Sequence, residues 1–538
     1  MNLSIKALLA VSAFALASPA LAASPQPGEK LAEDQTFTYA DLDEFTSLDP
    51  QIVEDVSGSD VIRDLFEGLF NQDAKGNLVP GVATSYDVSD DKLTYTFHLR
   101  DNAKWSDGKP VTAGDFVYAW RRLADPETAS PYQWFIDIMS LKNGSEVQKG
   151  DLPPEELGVK AIDDTTLEVT LSQPIPYFVL TTTHASTFPT PKWVIDKYGA
   201  DWTKPENIVS NGAYVLTEHV PNERSVRERN PMYWDNEHTI IEKVTDLIIN
   251  DENIALQRFL AGELDRAPVP TGQYPTLKAQ YPDAALSFPR LCSYYYMFNL
   301  RDDAPAWEKD ERVRKALSYA IDRDVIVNKI LQGGQFPAYT FTPGATAGFE
   351  VPSVDYAEMT QDERNAAAKE MMAAAGFGPD HPLDVTLLYN TSEGHKKIAI
   401  AVSQMWKQTL GVNVTLENQE WKTFLQARSN GDFEVARGGW CGDYNEASTF
   451  LDLITTNSGY NDSKYSNAEV DQLMADAKTA DDPQPNYTRV EEIIAEDMPI
   501  IPIYHYSAVF MLNPKLKGWP VENVEQNWYS KDFYKVAE

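Results

Sequence analysis

The segment LDVTLLYN (383–390) is followed by KKIAIAVSQMWKQTLG (396–411) and VNVTLENQ (412–419), and these three segments decide the fold class. The first and third are short and rich in β-branched residues, and Val412, Val414 and Leu416 alternate along the third, which is typical of strands. The middle segment has helical apolar spacing and ends at Gly411. A strand, a helix and a strand in this order form a crossover with parallel strands. The later half of the chain is therefore predicted to hold a mainly parallel, helix-covered sheet of α/β class.

Local patterns predict further elements elsewhere in the chain. KLTYTFHLR (92–100) and TTLEVTL (165–171) alternate apolar and polar residues, as half-buried strands do. The run MPIIPIYHY (498–506) is too apolar for a surface loop and is predicted to return to the core. Three helix starts carry an N-terminal capping pattern, namely Thr112/Asp115, Thr360/Glu363 and Ser466/Glu469.

The first residues have the features of an export signal. Lys6 precedes an apolar run that ends in Ala20-Leu21-Ala22, so residues 1–22 are predicted to be a secretory signal peptide cut before Ala23. The alternative, a membrane anchor, is disfavoured because the run is short and no basic flank follows it. We expect an exported, soluble protein, and the family resemblance described below implies the periplasm.

Charge and length exclude some classes of function. The 538 residues include 46 basic and 81 acidic residues, for a formal net charge of −35. Such an acidic surface repels phosphate backbones and anionic lipids, so we expect neither nucleic-acid nor membrane binding. The chain is long enough for two or three lobes with their own cores.

Motifs of catalysis and of cofactor binding are missing from the sequence. It contains no phosphate-binding glycine loop, no HExxH, no cysteine cluster and no close histidine pair, so we expect no metal and no cofactor. A binding protein is favoured over an enzyme. A secreted glycan hydrolase that uses two of the acidic residues is the alternative from another class.

The two cysteines, Cys292 and Cys441, are expected to form a disulfide in an oxidising compartment. The alternative is a pair of buried free thiols. A bridge would bring PRLCSYYYMFNL (289–300) next to VARGGWCGDYNEASTF (435–450), two segments that are distant in the sequence.

Several stretches resemble a known family. They are VIRDLFEGLF (61–70), the long segment 76–132, LCSYYYMFNL (291–300), LLYNTSEGHKKIAIA (387–401), NQEWKTFLQAR (418–428) and VARGGWCGDYNE (435–446). Together they are similar to the periplasmic oligopeptide-binding proteins, which belong to solute-binding protein family 5 and supply ABC importers. The resemblance implies a three-lobed, type II periplasmic binding protein-like clamshell with mixed sheets. The implied bounds are 23–66, 190–291 and 509–538 for lobe I, 67–189 for lobe II, and 292–508 for lobe III, which closes over the ligand.

The resemblance also implies how the two ends of a peptide are held. Asp443 is expected to pair with the ligand's α-ammonium, with backbone groups near Cys441 and Val56 completing the amine site. The alternative is that Gly442-Asp443 is a simple Asx turn. The ligand carboxylate is expected to meet Arg437, Arg428 and His395; the alternatives are solvated surface arginines and an ordinary helix-terminal histidine.

Between the ends, pairing with the ligand main chain inside a roomy, wet pocket would give affinity without side-chain preference. The expected pocket lining is Trp421, Trp440, Gly439, Tyr132, Tyr295, Tyr506 and Arg290. Arg290 departs from the family pattern, in which this position is usually tyrosine, and Leu331 stands where a lysine is expected. A basic Arg290 suggests contact with an acidic ligand side chain, which fits a murein peptide.

The expected function is therefore capture of short peptides in an interlobe cleft and delivery to an inner-membrane ABC permease by a monomeric receptor. A murein-tripeptide receptor is the first alternative. A binder of dipeptides or metal chelates is a second alternative within the class, disfavoured by the cysteine pair and the paired arginines.

Overall fold

A computed structural model describes residues 23–537 of the chain, and the predicted signal peptide lies outside these residues. Within them, no helix has both the length and the apolar character needed to cross a bilayer. The strands are β1 (Thr36–Asp41), β2 (Phe70–Gln72), β3 (Leu78–Pro80), β4 (Ala83–Val88), β5 (Thr94–Leu99), β6 (Val159–Asp163), β7 (Thr166–Thr170), β8 (Tyr214–Val220), β9 (Arg224–Arg229), β10 (Lys243–Ile248), β11 (Arg266–Pro268), β12 (Ala285–Phe298), β13 (Phe336–Pro337), β14 (Asp384–Asn390), β15 (Asn413–Gln419), β16 (Val435–Cys441), β17 (Ile500–Leu512), β18 (Leu516–Lys517) and β19 (Tyr534–Lys535).

The helices are distributed along the whole described chain. They are α1 (Val56–Leu65), α2 (Ala113–Ala124), α3 (Phe135–Ile138), α4 (Gly144–Gln148), α5 (Phe178–Thr181), α6 (Lys192–Tyr198), α7 (Glu252–Leu260), α8 (Tyr274–Gln280), α9 (Glu311–Tyr319), α10 (Arg323–Val325), α11 (Asp355–Glu358), α12 (Gln361–Ala374), α13 (Glu393–Leu410), α14 (Trp421–Asn430), α15 (Ser448–Leu451), α16 (Ala468–Ala477) and α17 (Gln484–Asp497).

An 11-stranded mixed sheet runs through the molecule in the order β15-β14-β16-β12-β17-β11-β1-β10-β9-β8, with β13 paired to β17. Strands β14 and β15 are parallel and are connected by α13, which confirms the predicted crossover. Helix α13 begins at Glu393, three residues before the predicted start, because the Ser392 hydroxyl caps it by accepting the His395 N–H. The sheet is mixed because β12 is antiparallel to both β16 and β17.

A second, antiparallel sheet has the order β4-β5-β7-β6. Along β5, Tyr95, Phe97 and Leu99 are buried while the residues between them are half-buried, which confirms the predicted alternation. Helix α2 packs on this sheet and starts with the predicted capping box, in which the Asp115 carboxylate accepts the Thr112 N–H at 2.8 Å.

The capping prediction is correct at α12 and wrong at α16. At α12, Glu363 accepts the Thr360 N–H at 2.8 Å. Helix α16 is capped by Asn467, whose side chain accepts the backbone N–H groups of Glu469 and Val470. Asn467 directly precedes the first helical residue and is as good a capping residue as serine, so it displaces Ser466 from this role.

Strands β12 and β17 lie side by side in the middle of the large sheet. The run 498–506 enters the core as predicted, with Ile500, Ile501 and Ile503 buried in β17. The pairing slips between Pro289/Ser507 and Ser293/His505, so that three residues of β12 oppose Tyr506 alone. The predicted boundaries between lobes I and III fall inside these two strands, and the lobe bounds stay a prediction.

Cys292 and Cys441 are directly opposite each other on β12 and β16 and form a disulfide, as predicted. The bridge joins residues 149 positions apart, and it fixes the exit of β16 against the bulge of β12.

Replacing both cysteines by serine is expected to lower the free energy of unfolding by about 2–5 kcal/mol, because the bridge closes a long loop in the unfolded chain. Urea unfolding with and without a reducing agent measures the effect. Reduction should destabilise the wild type and leave the double variant unchanged. Equal unfolding midpoints for the oxidised and the reduced wild type would contradict a stabilising role of the bridge.

Candidate functional site

A cavity of about 390 Å³ lies between the segment around the start of α1 and the later segment formed by β16 and α14. Every residue predicted for the site lines this cavity except Tyr295. These lining residues are Asp443, Cys441, Val56, Arg437, Arg428, His395, Trp421, Trp440, Gly439, Tyr132, Tyr506 and Arg290. The described fold therefore brings together residues from widely separated parts of the chain.

The prediction that Tyr295 lines the pocket is wrong. Its ring lies against the backbone of Gly438 and packs edge-on against Phe341, with ring centroids 5.0 Å apart. The cause is strand alternation, since Tyr294 and Tyr296 point to the opposite face of β12 from Tyr295. The aromatic ring that supports the site is Tyr294, over which the Arg437 guanidinium lies at 5.0 Å.

Two glycines of β16 lack side chains at positions where neighbouring side chains pack against the strand. A Cβ on Gly438 would lie 2.4 Å from the Tyr295 ring, and one on Gly439 would lie 2.6 Å from Nη2 of Arg437. The two glycines therefore allow Tyr295 to pack behind the strand and the Arg437 guanidinium to lie along it.

Asp443 follows β16 and is 8 % exposed. Its Oδ1 accepts a hydrogen bond from the Tyr132 hydroxyl at 3.3 Å, and Nε2 of His184 lies 3.4 Å away. Its Oδ2 is buried without a hydrogen-bond partner. Burial raises the pKa of Asp443 well above its usual value.

The neighbouring His184 does not supply a positive charge. Burial, followed by the nearby charge of Arg63, lowers the pKa of His184 to about 3, so the imidazole is neutral. Its Nδ1 lies 2.8 Å from the Ser186 hydroxyl and accepts the Ser186 backbone N–H. Asp443 is thus a buried acid with no cationic partner among residues 23–537.

Arg437 and Arg428 line the same cavity but differ in how their charges are compensated. Arg428 forms an ion pair with Asp462 at 2.7 Å. Arg437 has no carboxylate within ion-pair distance in the described chain. Its Nη2 donates to the Tyr506 hydroxyl at 2.7 Å, Nη1 to Asn390 at 3.5 Å, and its Nε is buried without an acceptor.

His395, at the start of α13, also lines the cavity. Burial and the adjacent Arg437 charge lower the pKa of His395 well below its usual value. Imidazolium beside a buried guanidinium is disfavoured, so the neutral form of His395 is favoured, and its contact with the ligand carboxylate stays a prediction. A neutral His395 can still donate one hydrogen bond.

Sequence reasoning missed several cavity residues, namely Asp43, Glu54, Arg63, His184, Tyr460 and Glu525. The pKa of Asp43 is raised to about 6 and that of Glu525 to about 7, mainly because both carboxyl groups are buried. No spacing or motif marks these residues, because they come from four parts of the chain, at 43–63, 184, 460 and 525, and meet only in the folded structure.

Comparison with known proteins identifies the class. Residues 77–462 match the model for bacterial extracellular solute-binding proteins, family 5 middle region, and the chain belongs to this family. It is 46 % identical to the periplasmic oligopeptide-binding protein OppA of Salmonella typhimurium over 99 % of both chains. It is also 46 % identical to the periplasmic murein peptide-binding protein MppA of Escherichia coli over 96 % of both.

Solved structures agree with this family assignment, and they also allow the conformation of this chain to be compared with an open form. The structure of the murein tripeptide binding protein MppA of Escherichia coli matches with a TM-score of 0.92, covering 94 % of this chain and 100 % of that one. Haemophilus influenzae OppA in complex with RPPGFSPFR, 39 % identical, matches at 0.90 with the same coverage. The unliganded open form of MppA matches at only 0.69 at 46 % identity, covering 95 % of this chain and 99 % of that one. The present structure therefore differs from that open arrangement.

Substitution Asp443→Asn is expected to stabilise the ligand-free protein increasingly as the pH rises above about 4, the ordinary pKa of aspartate. Because burial raises the folded-state pKa, the native protein keeps a proton that the unfolded chain releases, and wild-type stability falls with rising pH. The difference should grow by at most about 1.4 kcal/mol per pH unit in this window. Urea unfolding of both proteins, freed of ligand, at pH 5 and pH 7 measures it. Parallel pH profiles would contradict the raised pKa.

Proposed function

We propose that the protein is a periplasmic receptor that captures short peptides in the cavity and delivers them to an inner-membrane ABC permease without chemical change. One observation carries this function: the cavity wall holds a buried acid, Asp443, and a buried arginine, Arg437, neither with a charged partner in the described chain. A peptide carries the two complementary charges on its ends. Close similarity to peptide-binding relatives supports the same function.

Asp443 receives the ligand's α-ammonium in this proposal. The unpartnered Oδ2 is the available acceptor, and the ammonium would restore the ionised form of the carboxylate. A charge-assisted hydrogen bond of this type stabilises a complex by about 1.5–3 kcal/mol. Tyr132, which already donates to Oδ1, holds the carboxylate in place.

Arg437 receives the ligand's terminal carboxylate. Its guanidinium donates only to neutral acceptors in the described structure. A ligand carboxylate would give Arg437 a charged partner, whereas Arg428 already has one in Asp462. Arg428 lines the same cavity, but its charge is already neutralised by the ion pair with Asp462.

The ligand main chain is placed along the free edge of β16. This strand pairs with β12 from Val435 to Cys441 on one side, but with β14 only at Val435 and Ala436 on the other. Backbone groups from Arg437 to Cys441 therefore have no strand partner on the second edge among the described strands. An extended peptide can pair there as an added strand, which gives affinity independent of side-chain identity.

A murein tripeptide receptor is the second candidate function, and Arg290 is the residue that favours it. The monomeric state and the permease partner remain predictions.

Asp443→Asn is expected to weaken binding of a free-amine tripeptide such as Ala-Ala-Ala by about 10- to 100-fold, because the variant cannot supply the anion. The N-acetylated peptide, which has no ammonium, should lose little affinity on the same substitution. Isothermal titration of ligand-free protein measures both constants, and mass spectrometry of the mixture should recover the intact peptide.

Asp481→Asn, a change of an exposed acid in the later half, is the matched control and should bind like the wild type. Equal losses for the free and the acetylated peptide would refute the amine role of Asp443. Cleaved product, or turnover of an oligosaccharide, would refute a purely binding function.

Arg437→Gln is expected to weaken binding of Ala-Ala-Ala by about 10- to 100-fold and to have little effect on its C-terminal amide. Arg428→Gln should instead destabilise the fold by about 3–5 kcal/mol, because it leaves the buried Asp462 without its partner. Titration and urea unfolding separate the two effects. If Arg428→Gln abolished the preference for the free carboxylate while Arg437→Gln kept it, the assignment would be reversed.

A further inference from the structure

Arg290 is a charged residue in the cavity wall without a partner. Among residues 23–537 no group forms a hydrogen bond or an ion pair with its guanidinium, and its Nε is buried without an acceptor. The acidic residue with the largest electrostatic effect on Arg290 is Asp60, which is already paired with Arg63 at 2.6 Å. Burial, with the like charges of Arg266 and Arg63, lowers the pKa of Arg290. An uncompensated guanidinium in this setting calls for an anion.

The bulge in β12 explains how Arg290 reaches the cavity. Arg290, Leu291 and Cys292 together oppose the single residue Tyr506 of β17. Instead of continuing the ladder, Leu291 donates its N–H to Val524 and accepts the N–H of Gly442. Bulges turn side chains out of the regular alternation, and this one directs Arg290 into the cavity.

A second cavity of about 600 Å³ adjoins the first, and Arg290 and Tyr506 line both. Its other walls are mainly apolar, and its His505 is already bonded to the Thr340 carbonyl at 3.0 Å. The large side chains Phe336 and Val351 in its wall are half exposed, so this cavity reaches the surface. There is thus room beside Arg290 for a ligand side chain that extends past Tyr506.

The four cavity arginines form two pairs, which differ in whether a carboxylate compensates the charge. Arg63 and Arg428 are neutralised by Asp60 and Asp462. Arg437 and Arg290 have no carboxylate within ion-pair distance in residues 23–537. The Arg437 guanidinium bonds to the Tyr506 hydroxyl, and Arg290 lines the cavity next to the same residue. The terminal carboxylate of a peptide can compensate only one of these two charges.

We propose that Arg290 binds a second carboxylate of the ligand, next to the terminal carboxylate held by Arg437. The source is either an acidic side chain or an α-carboxylate left free by a γ-glutamyl linkage. This inference rests on the proposed peptide-binding function. It assigns to the site a preference for peptides with two carboxylates near the C-terminal end.

The test compares three peptide pairs that differ only by a carboxylate and its amide. They are Ala-Glu-Lys with Ala-Gln-Lys, Ala-Ala-Glu with Ala-Ala-Gln, and Ala-γ-Glu-Lys with the same peptide carrying an α-carboxamide on the glutamyl residue. Isothermal titration of the wild type should show that the acidic member of at least one pair binds at least about tenfold more tightly than its amide. The pair that discriminates identifies the source of the carboxylate. Equal affinities within all three pairs would overturn the inference.

Arg290→Gln should remove the discrimination, so that the acidic and the amide member of each pair bind with equal affinity, and Arg290→Lys should keep part of it. Arg312→Gln, a change of an exposed arginine outside the cavity, is the matched control. Discrimination that persists in Arg290→Gln would overturn the role of Arg290. Urea unfolding verifies that each variant is folded, and the wild-type comparison needs no variant at all.

The amide members distinguish this inference from the function on which it rests. If no peptide of the panel binds the wild type, the proposed peptide-binding function fails. If the amide members bind and the acidic members bind no better, peptide binding stands and only the second carboxylate site is refuted.

Discussion

A charge removed from water needs a counter-charge or must be neutralised, and this constraint governs the cavity. Without a ligand, burial raises the pKa of Asp443 and so favours its neutral form. Arg437 cannot lose its proton and instead donates to the Tyr506 hydroxyl. A ligand with an ammonium and a carboxylate satisfies both groups at once. Because the protein has already desolvated and oriented them, less of the binding energy is lost in ordering the site.

Local geometry brings these two groups toward each other. Arg437, Gly439 and Cys441 alternate along β16, and Asp443 lies two residues beyond the end of the strand. The Arg437 guanidinium leans along the strand over Gly439, in the direction of Asp443. A short peptide along the free edge can therefore face both groups. A longer ligand has to leave the cavity beyond one anchor, and the surface-reaching cavity beside Tyr506 provides space in that direction.

Local patterns in the sequence predicted the parts of the fold that local physics controls. Alternation along β5 and the capping boxes of α2 and α12 depend on neighbouring residues, and the disulfide depends on a cysteine pair in an exported chain. The binding residues are predicted by the family resemblance, because the residues alone are equally compatible with Asp443 in a simple turn. Tyr295 was misplaced because a run of three tyrosines does not reveal which ones face the cavity. His184 and Glu525 were missed because only tertiary contacts bring them to Asp443.

In the proposed function, charge compensation also couples ligand binding to closure of the cavity. Tyr132 donates to Asp443, the residue proposed to bind the ligand amine, and Tyr460 donates to Glu54, which lines the same cavity. Opening the cavity would return water to Asp443 and Arg437 and remove the cost of their burial. Closing it without ligand restores that cost, whereas closing it around a peptide does not. A peptide bound as proposed would therefore have a higher affinity for the closed arrangement, which is the condition for shifting the population toward it.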